Sequence, residues 1–181
     1  ENKKYKWSKV ESGGRGVFYK DSLQWLEDAD IIRRCYNSNI TGLPLEGNAI
    51  DNVFKVYTTD IGMLVALLGG TTRADILQGN LGGFKGAIFE NLMADTLLKK
   101  GQSLYYFQKD SGLELDFLVR MKGECVPLEV KAKTAQAKSV KTVLSHPEKY
   151  KVKHVIKFGD SNIGRDDRLL TLPNYMQFLL D

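Results

Sequence analysis

Histidine and cysteine are scarce in this sequence, with two of each in 181 residues. Neither His146 nor His154 has zinc-ligand spacing or a nucleophile close by, so neither is expected to be catalytic. Cys35 and Cys125 form no CxxC pair and read as reduced thiols of a cytoplasmic protein. No apolar run approaches the roughly 18–20 residues that a membrane-spanning helix needs. The N-terminus has no signal-peptide pattern, and a chain that begins at Glu1 rather than Met is expected to be an excised piece or a processed product. A G-x-x-x-x-G-K-[ST] loop is missing, which excludes P-loop ATP hydrolysis by these residues. Internal repeats and low-complexity tracts are missing too.

What is present is the composition of a soluble globular chain, 43% hydrophobic and 27% charged. The length suggests one or two domains. The net charge of +4 is mildly basic. Its distribution says more: between Lys131 and Lys157 there are eight lysines and one acid, Glu148. Such a stretch serves either as a solvated face or as a phosphate-contacting surface.

Residues 1–12 are polar and basic, with Tyr5 and Trp7, and Gly13-Gly14-Arg15-Gly16 breaks any element. A helix is predicted over 17–28, with Phe18, Leu23, Trp25 and Leu26 as its apolar positions, and a strand over 31–36. Helix followed by strand is compatible with part of a winged helix-turn-helix, a unit used for reading DNA and for spacing proteins apart. Residues 37–52 carry turn chemistry, and a short strand is predicted over 53–57. Thr59 or Asp60 caps a helix that stops at Gly69-Gly70, and 73–78 reads as a further short helix. Gly79 to Gly83 forms a joint, which divides the chain into a winged-helix-like segment (1–80) and a second domain (81–181).

In the second part a helix is predicted over 84–100, with Phe84, Ala87, Ile88, Leu92, Met93, Ala94, Leu97 and Leu98 on its apolar stripe. Glu90 falls on that stripe, near Ala87, Met93 and Ala94 at helical spacing. A carboxylate there is paired, bound to a cation, or at the stripe's edge reaching water. Strand 104–108 follows, then a hairpin, a helical stretch over 134–144, a strand over 152–158 that puts Val152, His154, Ile156 and Phe158 on one side, a polar loop over 159–167, a strand over 169–172, and a terminal helix from Pro173.

The hairpin carries the chemistry. Leu113, Leu115, Phe117 and Val119 alternate with Glu114, Asp116 and Leu118; after the turn, Val126, Leu128, Val130 and Ala132 alternate with Pro127, Glu129 and Lys131. With Lys122 and Gly123 as a two-residue loop, Met121 pairs with Glu124. That register sets Asp116 opposite Glu129 and Glu114 opposite Lys131. Facing carboxylates repel, so the pair calls for a cation. Lys131 and a divalent metal are the two candidates, while Glu114 and Lys131 could also form an ordinary cross-strand ion pair.

The order of a helix Glu (Glu90), a strand Asp (Asp116) and Glu-x-Lys on the next strand (Glu129, Lys131) resembles the PD-(D/E)xK nuclease superfamily. A longer resemblance runs through Leu23-Gln-Trp-Leu-Glu-Asp-Ala29, Asp60-Ile-Gly-Met-Leu64, Phe84-Lys-Gly-Ala-Ile-Phe-Glu-Asn91, Leu104-Tyr-Tyr-Phe107, Gly112-Leu-Glu-Leu-Asp-Phe-Leu118 and Pro127-Leu-Glu-Val-Lys-Ala132. These segments look like the uncharacterised C-terminal region of a prokaryotic AAA-type ATPase family. The resemblance implies a fragment of a larger NTPase. Its implied fold is α/β, a central mixed sheet flanked by helices and restriction-endonuclease-like, after a small winged-helix-like α+β segment. It implies a cytoplasmic, Mg²⁺- or Mn²⁺-dependent phosphodiester hydrolase, with Asp116, Glu129, the Val130 carbonyl and Glu90 around the metal and Lys131 beside the attacking water. The partners implied are nucleic acid, DNA ahead of RNA, and the ATPase module of the parent chain. The alternative is a catalytically silent regulatory module of that ATPase, binding nucleic acid or protein.

Overall fold

The computed structural model describes residues 16–80, 82–133 and 137–180. The expectations for residues 1–15 and for the start of the 134–144 helix lie outside them, as does the side chain of Phe18.

Eight strands form one mixed sheet. In chain order they are β1 (Ile32–Ser38), β2 (Ala49–Thr58), β3 (Tyr105–Gln108), β4 (Glu114–Met121), β5 (Glu124–Val130), β6 (Val155–Gly159), β7 (Gly164–Asp166) and β8 (Leu169–Pro173). Their spatial order is β2-β1-β3-β4-β5-β6-β8-β7. Pairing is parallel at β1–β3, β5–β6 and β6–β8 and antiparallel elsewhere. The helices are α1 (Gly16–Asp28), α2 (Ile61–Leu67), α3 (Thr72–Leu77), α4 (Lys85–Lys99), α5 (Lys138–Ser145) and α6 (Pro147–Tyr150). None among the described residues is long and apolar enough to cross a membrane.

Two apolar layers cover the sheet. On one face, Met93, Ala94 and Leu97 of α4 pack with Tyr57, Phe117, Val119, Val126, Leu128 and Phe158. On the other, Val140 and Val143 of α5 pack with Leu115, Leu118, Val152 and Val155. Each such side chain contributes about 1.5–3 kcal/mol on burial, so α4 is anchored mainly by one stripe. Its polar residues also anchor it. Asn91 accepts from the Thr58 amide at 3.0 Å and donates to the Thr58 carbonyl at 3.1 Å, clamping the helix to the end of β2. Asp60 caps α2, accepting from the Met63 amide at 2.8 Å.

The central hairpin has the predicted register: Met121 faces Glu124 and Phe117 faces Leu128. Lys122 and Gly123 have φ of 49° and 80°, the two positive values that a two-residue type I′ loop requires. Lysine tolerates that region poorly. Lys122→Asn is therefore expected to stabilise the protein by about 0.5–1 kcal/mol, read from urea unfolding; a loss instead would mean that the loop is not limiting.

Several expectations are corrected. Leu115 does not share a face with Phe117. Between the pairs Tyr105–Leu118 and Phe107–Leu115, β3 spends Tyr106 alone while β4 spends both Asp116 and Phe117. This bulge breaks the alternation, and Leu115 joins the α5 layer while Phe117 joins the α4 layer. His154 precedes β6 and is exposed, whereas Val155 and Ile156 within it are both buried, because a strand with parallel neighbours and layers on both faces is covered on both sides. β2 begins at Ala49, within the stretch predicted as turns, and β7 lies within the predicted polar loop. The C-terminal element is 3-10 rather than α-helical, over Asn174–Leu179. Phe84 precedes α4 and is exposed, as is Trp25.

The joint at Gly79–Gly83 separates α3 from α4, yet the sheet runs across it. β1 and β2 lie on the N-terminal side and extend the same sheet through β3.

Candidate active site: a buried cluster of carboxylates and lysines

The α4 face of the sheet is apolar except where four carboxylates and two ammonium groups meet. Asp116 and Glu129 come from the hairpin, and both are buried, 9% and 3% exposed. Lys131 lies between them. Its Nζ is 2.5 Å from Glu129 Oε1 and 4.0 Å from Asp116 Oδ2. Asp116 Oδ2 also accepts from the Val130 amide at 2.8 Å. The bulge explains this last bond. The ladder of β4 and β5 ends at Phe117–Leu128, and the Asp116 side chain takes a backbone donor just past it. Bulges commonly re-aim a side chain in this way beside functional sites.

Glu90 and Glu114 are held by a different lysine. Lys55 of β2 is 1% exposed. Its Nζ lies 2.9 Å from Glu90 Oε1 and 2.6 Å from Glu114 Oε1. The Tyr57 hydroxyl donates to the same Glu90 oxygen. Lys55 crosses the sheet over the Tyr106 ring, 5.1 Å from its centroid. Glu114 also accepts from Gln108 Nε2 at 2.9 Å.

Thus the structure joins Asp116, Glu129 and Lys131 and sets Glu90 one lysine away. Lys131 takes Glu129 and Asp116, and Glu114 takes Lys55, so the cross-strand pair between Glu114 and Lys131 does not form. Glu90 is neither solvent-facing nor without a counter-charge. Among the described residues no three His, Cys, Asp or Glu side chains are gathered closely enough to hold one ion together. Sequence reasoning missed Lys55 and Tyr57. The signal was a lysine within the otherwise apolar run Val53–Tyr57.

The charges do not balance. Four carboxylates face two ammonium groups, an excess of two negative charges if every group is ionised. Burial, then the neighbouring Glu129 and Glu90, push the Asp116 carboxyl well above its ordinary range, with Lys131 and Lys55 pulling it back only in part. Burial pushes Glu129 up as well, against the pull of Lys131. For both lysines burial works against the charge, and the surrounding carboxylates outweigh it, so both are held protonated above the usual lysine range. One buried oxygen, Glu129 Oε2, has no hydrogen-bond partner among the described residues. Cys35 lies against this cluster and is a free thiol, as is Cys125.

The donor set suits a hard divalent cation. Such ions take oxygen ligands, and the site offers two buried carboxylates with surplus negative charge and an uncommitted oxygen. Asp116 and Glu129 are the side chains that would hold it. Glu90 is already engaged by Lys55 and Tyr57.

Known families cover this arrangement in two pieces. A family model described as "Domain of unknown function (DUF4143)" matches residues 85–175, the span of Glu90, Glu114, Asp116, Glu129 and Lys131. A second, described as "Domain of unknown function (DUF8612)", matches residues 1–74, the span of Lys55 and Tyr57. No curated protein and no solved structure matches the chain.

Proposed function

The chain belongs to the family of domains of unknown function DUF4143, and for this member of it we propose metal-dependent hydrolysis of phosphodiester bonds in nucleic acid, DNA ahead of RNA, with a restriction-endonuclease-like arrangement of the site. One observation carries the proposal: Asp116 and Glu129, on adjacent strands, are buried together around the ammonium of Lys131 with more negative charge than the local lysines balance. Mg²⁺ or Mn²⁺ bound there supplies Lewis-acid polarisation and a more acidic water.

The chain's own residues would do the rest. Hydrolysis forms a bond from water oxygen to phosphorus, breaks the bond to the leaving oxygen, passes one proton of the water to solvent, and takes one from solvent onto the leaving oxygen. Lys131 is held protonated, so its role is electrostatic. It orients the water through a hydrogen bond and offsets the charge that accumulates on the phosphoryl oxygens. Asp116 is fixed by the Val130 amide and needs no reorganisation to act. Lys55 and Tyr57 hold Glu90 on the helix side, which limits Glu90 to orienting a water rather than ligating a metal.

Purified protein incubated with plasmid and single-stranded substrates in Mg²⁺ or Mn²⁺ is expected to cleave, and Glu129→Ala to reduce cleavage to background. Titration calorimetry should show divalent binding to the parent protein and none to Glu129→Ala. Equal cleavage by the parent protein and Asp116→Ala would sink the assignment.

A silent regulatory module of a parent ATPase is favoured by a different observation, the engagement of both Glu90 and Glu114 by the buried Lys55. On that assignment the cluster is a polar core, and calorimetry registers no divalent binding even in the parent protein.

A further inference from the structure

A basic cavity lies outside the carboxylate cluster. The loop after β1, the end of β3 and the end of α6 enclose a volume of about 130 Å³. Lys109, Lys149 and Lys151 line it together with Asn39, and no Asp or Glu does. Its aromatic wall is Phe107 and Tyr150, edge to face with centroids 6.2 Å apart. Lys109 Nζ is 5.6 Å from the Phe107 centroid and 5.3 Å from that of Tyr150, and Lys149 Nζ is 5.4 Å from the same Tyr150 centroid. Two ammonium groups therefore share one ring. All three lysines are exposed, and none has an acidic partner among the described residues. Asp110 and Glu148, their neighbours in sequence, do not line the cavity.

The wall is fixed by the fold. The Thr41 hydroxyl donates to the Tyr150 carbonyl, tying the β1 loop to α6. Lys151 follows in the left-handed region, φ 53°, with its amide bonded to the Pro147 carbonyl at 2.7 Å. A residue with a Cβ costs about 1–2 kcal/mol there, and glycine is the usual occupant. Lysine at this position is the third to line the cavity.

We propose that this cavity is a phosphate-binding site that takes one backbone phosphate of a nucleic-acid strand. Cation–π contacts hold the Lys109 and Lys149 ammonium groups at the rings without neutralising them, so two like charges repel across one ring, with Lys151 a third lysine in the same lining. A phosphate offsets that repulsion, and its oxygens accept from three lysines and the Asn39 amide. Lys109, which lines the cavity, follows Gln108, whose side chain donates to Glu114 of the cluster, while Phe107 and Tyr150 belong to the apolar layer on the opposite face of the sheet. The choice of nucleic acid as occupant rests on the function proposed above; the basic cavity does not.

The test is fluorescence anisotropy with a labelled single-stranded oligonucleotide, in EDTA so that nothing is cut, across a salt series. The Lys109→Gln, Lys149→Gln, Lys151→Gln triple variant is expected to bind at least about tenfold more weakly, with a salt slope smaller by about 0.7, the share of one phosphate contact on a single strand. Lys109→Gln alone should show a fraction of that change. Lys100→Gln with Lys122→Gln, exposed lysines elsewhere, should change affinity less than threefold, and melting curves confirm that every variant is folded. An unchanged slope in the triple variant overturns the proposal. So does inorganic phosphate that displaces the strand as readily from the triple variant as from the parent protein. Lysine-dependent binding by a protein that cleaves nothing keeps this site and removes the hydrolase. Cleavage with lysine-independent binding does the reverse.

Discussion

Lys55→Met is expected to cost about 3–5 kcal/mol of stability, the range for removing one partner of a buried ion pair. A domain of this kind has only about 5–15 kcal/mol in total, so the variant should be largely unfolded at modest urea concentrations. Methionine fills much the same volume, so the loss is not a cavity effect. It arises because Glu90 and Glu114 lose the ammonium that both of them contact, at 2.9 and 2.6 Å, in a region that water does not reach easily. The Tyr57 hydroxyl still donates to Glu90, but a neutral donor does not replace a charge. Coupling is the sharper measurement. Glu90→Gln in the Lys55→Met background removes the stranded charge and should restore a good part of the loss, whereas Glu90→Gln alone should destabilise. A loss under about 1 kcal/mol for Lys55→Met, or strictly additive effects, would show that Lys55 does not neutralise this cluster.

That lysine also marks where sequence reading stops. The hairpin was legible because it is local. Its register follows from a two-residue loop and the alternation of side chains, and it holds from Met121–Glu124 to Phe117–Leu128, one position short of Asp116 and Glu129. Glu90 was legible as a polar residue on an apolar helical stripe. Its partner was not, because Lys55 is 35 positions away on an edge strand and meets it only through the sheet order β2-β1-β3-β4, which no local pattern encodes. The bulge at Asp116 and Phe117 was invisible for a related reason. It is a property of how β4 pairs with β3 rather than with β5. The β6 strand misled through burial: alternation reports a wet face, and β6 has none. The glycine-rich stretch at 79–83 falls between α3 and α4, but the backbone bonds from β1 to β3 tie the residues before it to those after it. The candidate site depends on that continuity, with Lys55 and Tyr57 from one side of the joint and the four carboxylates from the other.

Asp116→Asn should abolish cleavage and, without divalent ions, make the protein more stable at neutral pH. The sign follows from the direction of the shift. The Asp116 carboxyl is pushed up in the fold, by burial first and then by Glu129 and Glu90. Between its ordinary value of 3.8 and its raised value in the fold, the native state binds more protons than the unfolded chain. Stability therefore falls as pH rises through that window and stays reduced above it. Glu129 adds a fall of the same sign above its ordinary 4.5. Asparagine keeps an acceptor for the Val130 amide but carries no charge, so the penalty at Asp116 disappears and the pH slope becomes shallower. Melting temperatures from pH 4 to pH 8 in EDTA measure this: the two proteins should converge toward pH 4, and the variant should lead at pH 8. Adding Mg²⁺ then separates a metal site from a polar core. A cation that binds only the folded state stabilises it by mass action, about 2.7 kcal/mol at a hundred times its dissociation constant. The parent protein should gain at pH 8 and the variant should not. Equal response of both to Mg²⁺, or a parent protein that outlasts Asp116→Asn at pH 8 in EDTA, would mean that the excess charge around Asp116 is already balanced by the chain itself and that no cation is drawn there.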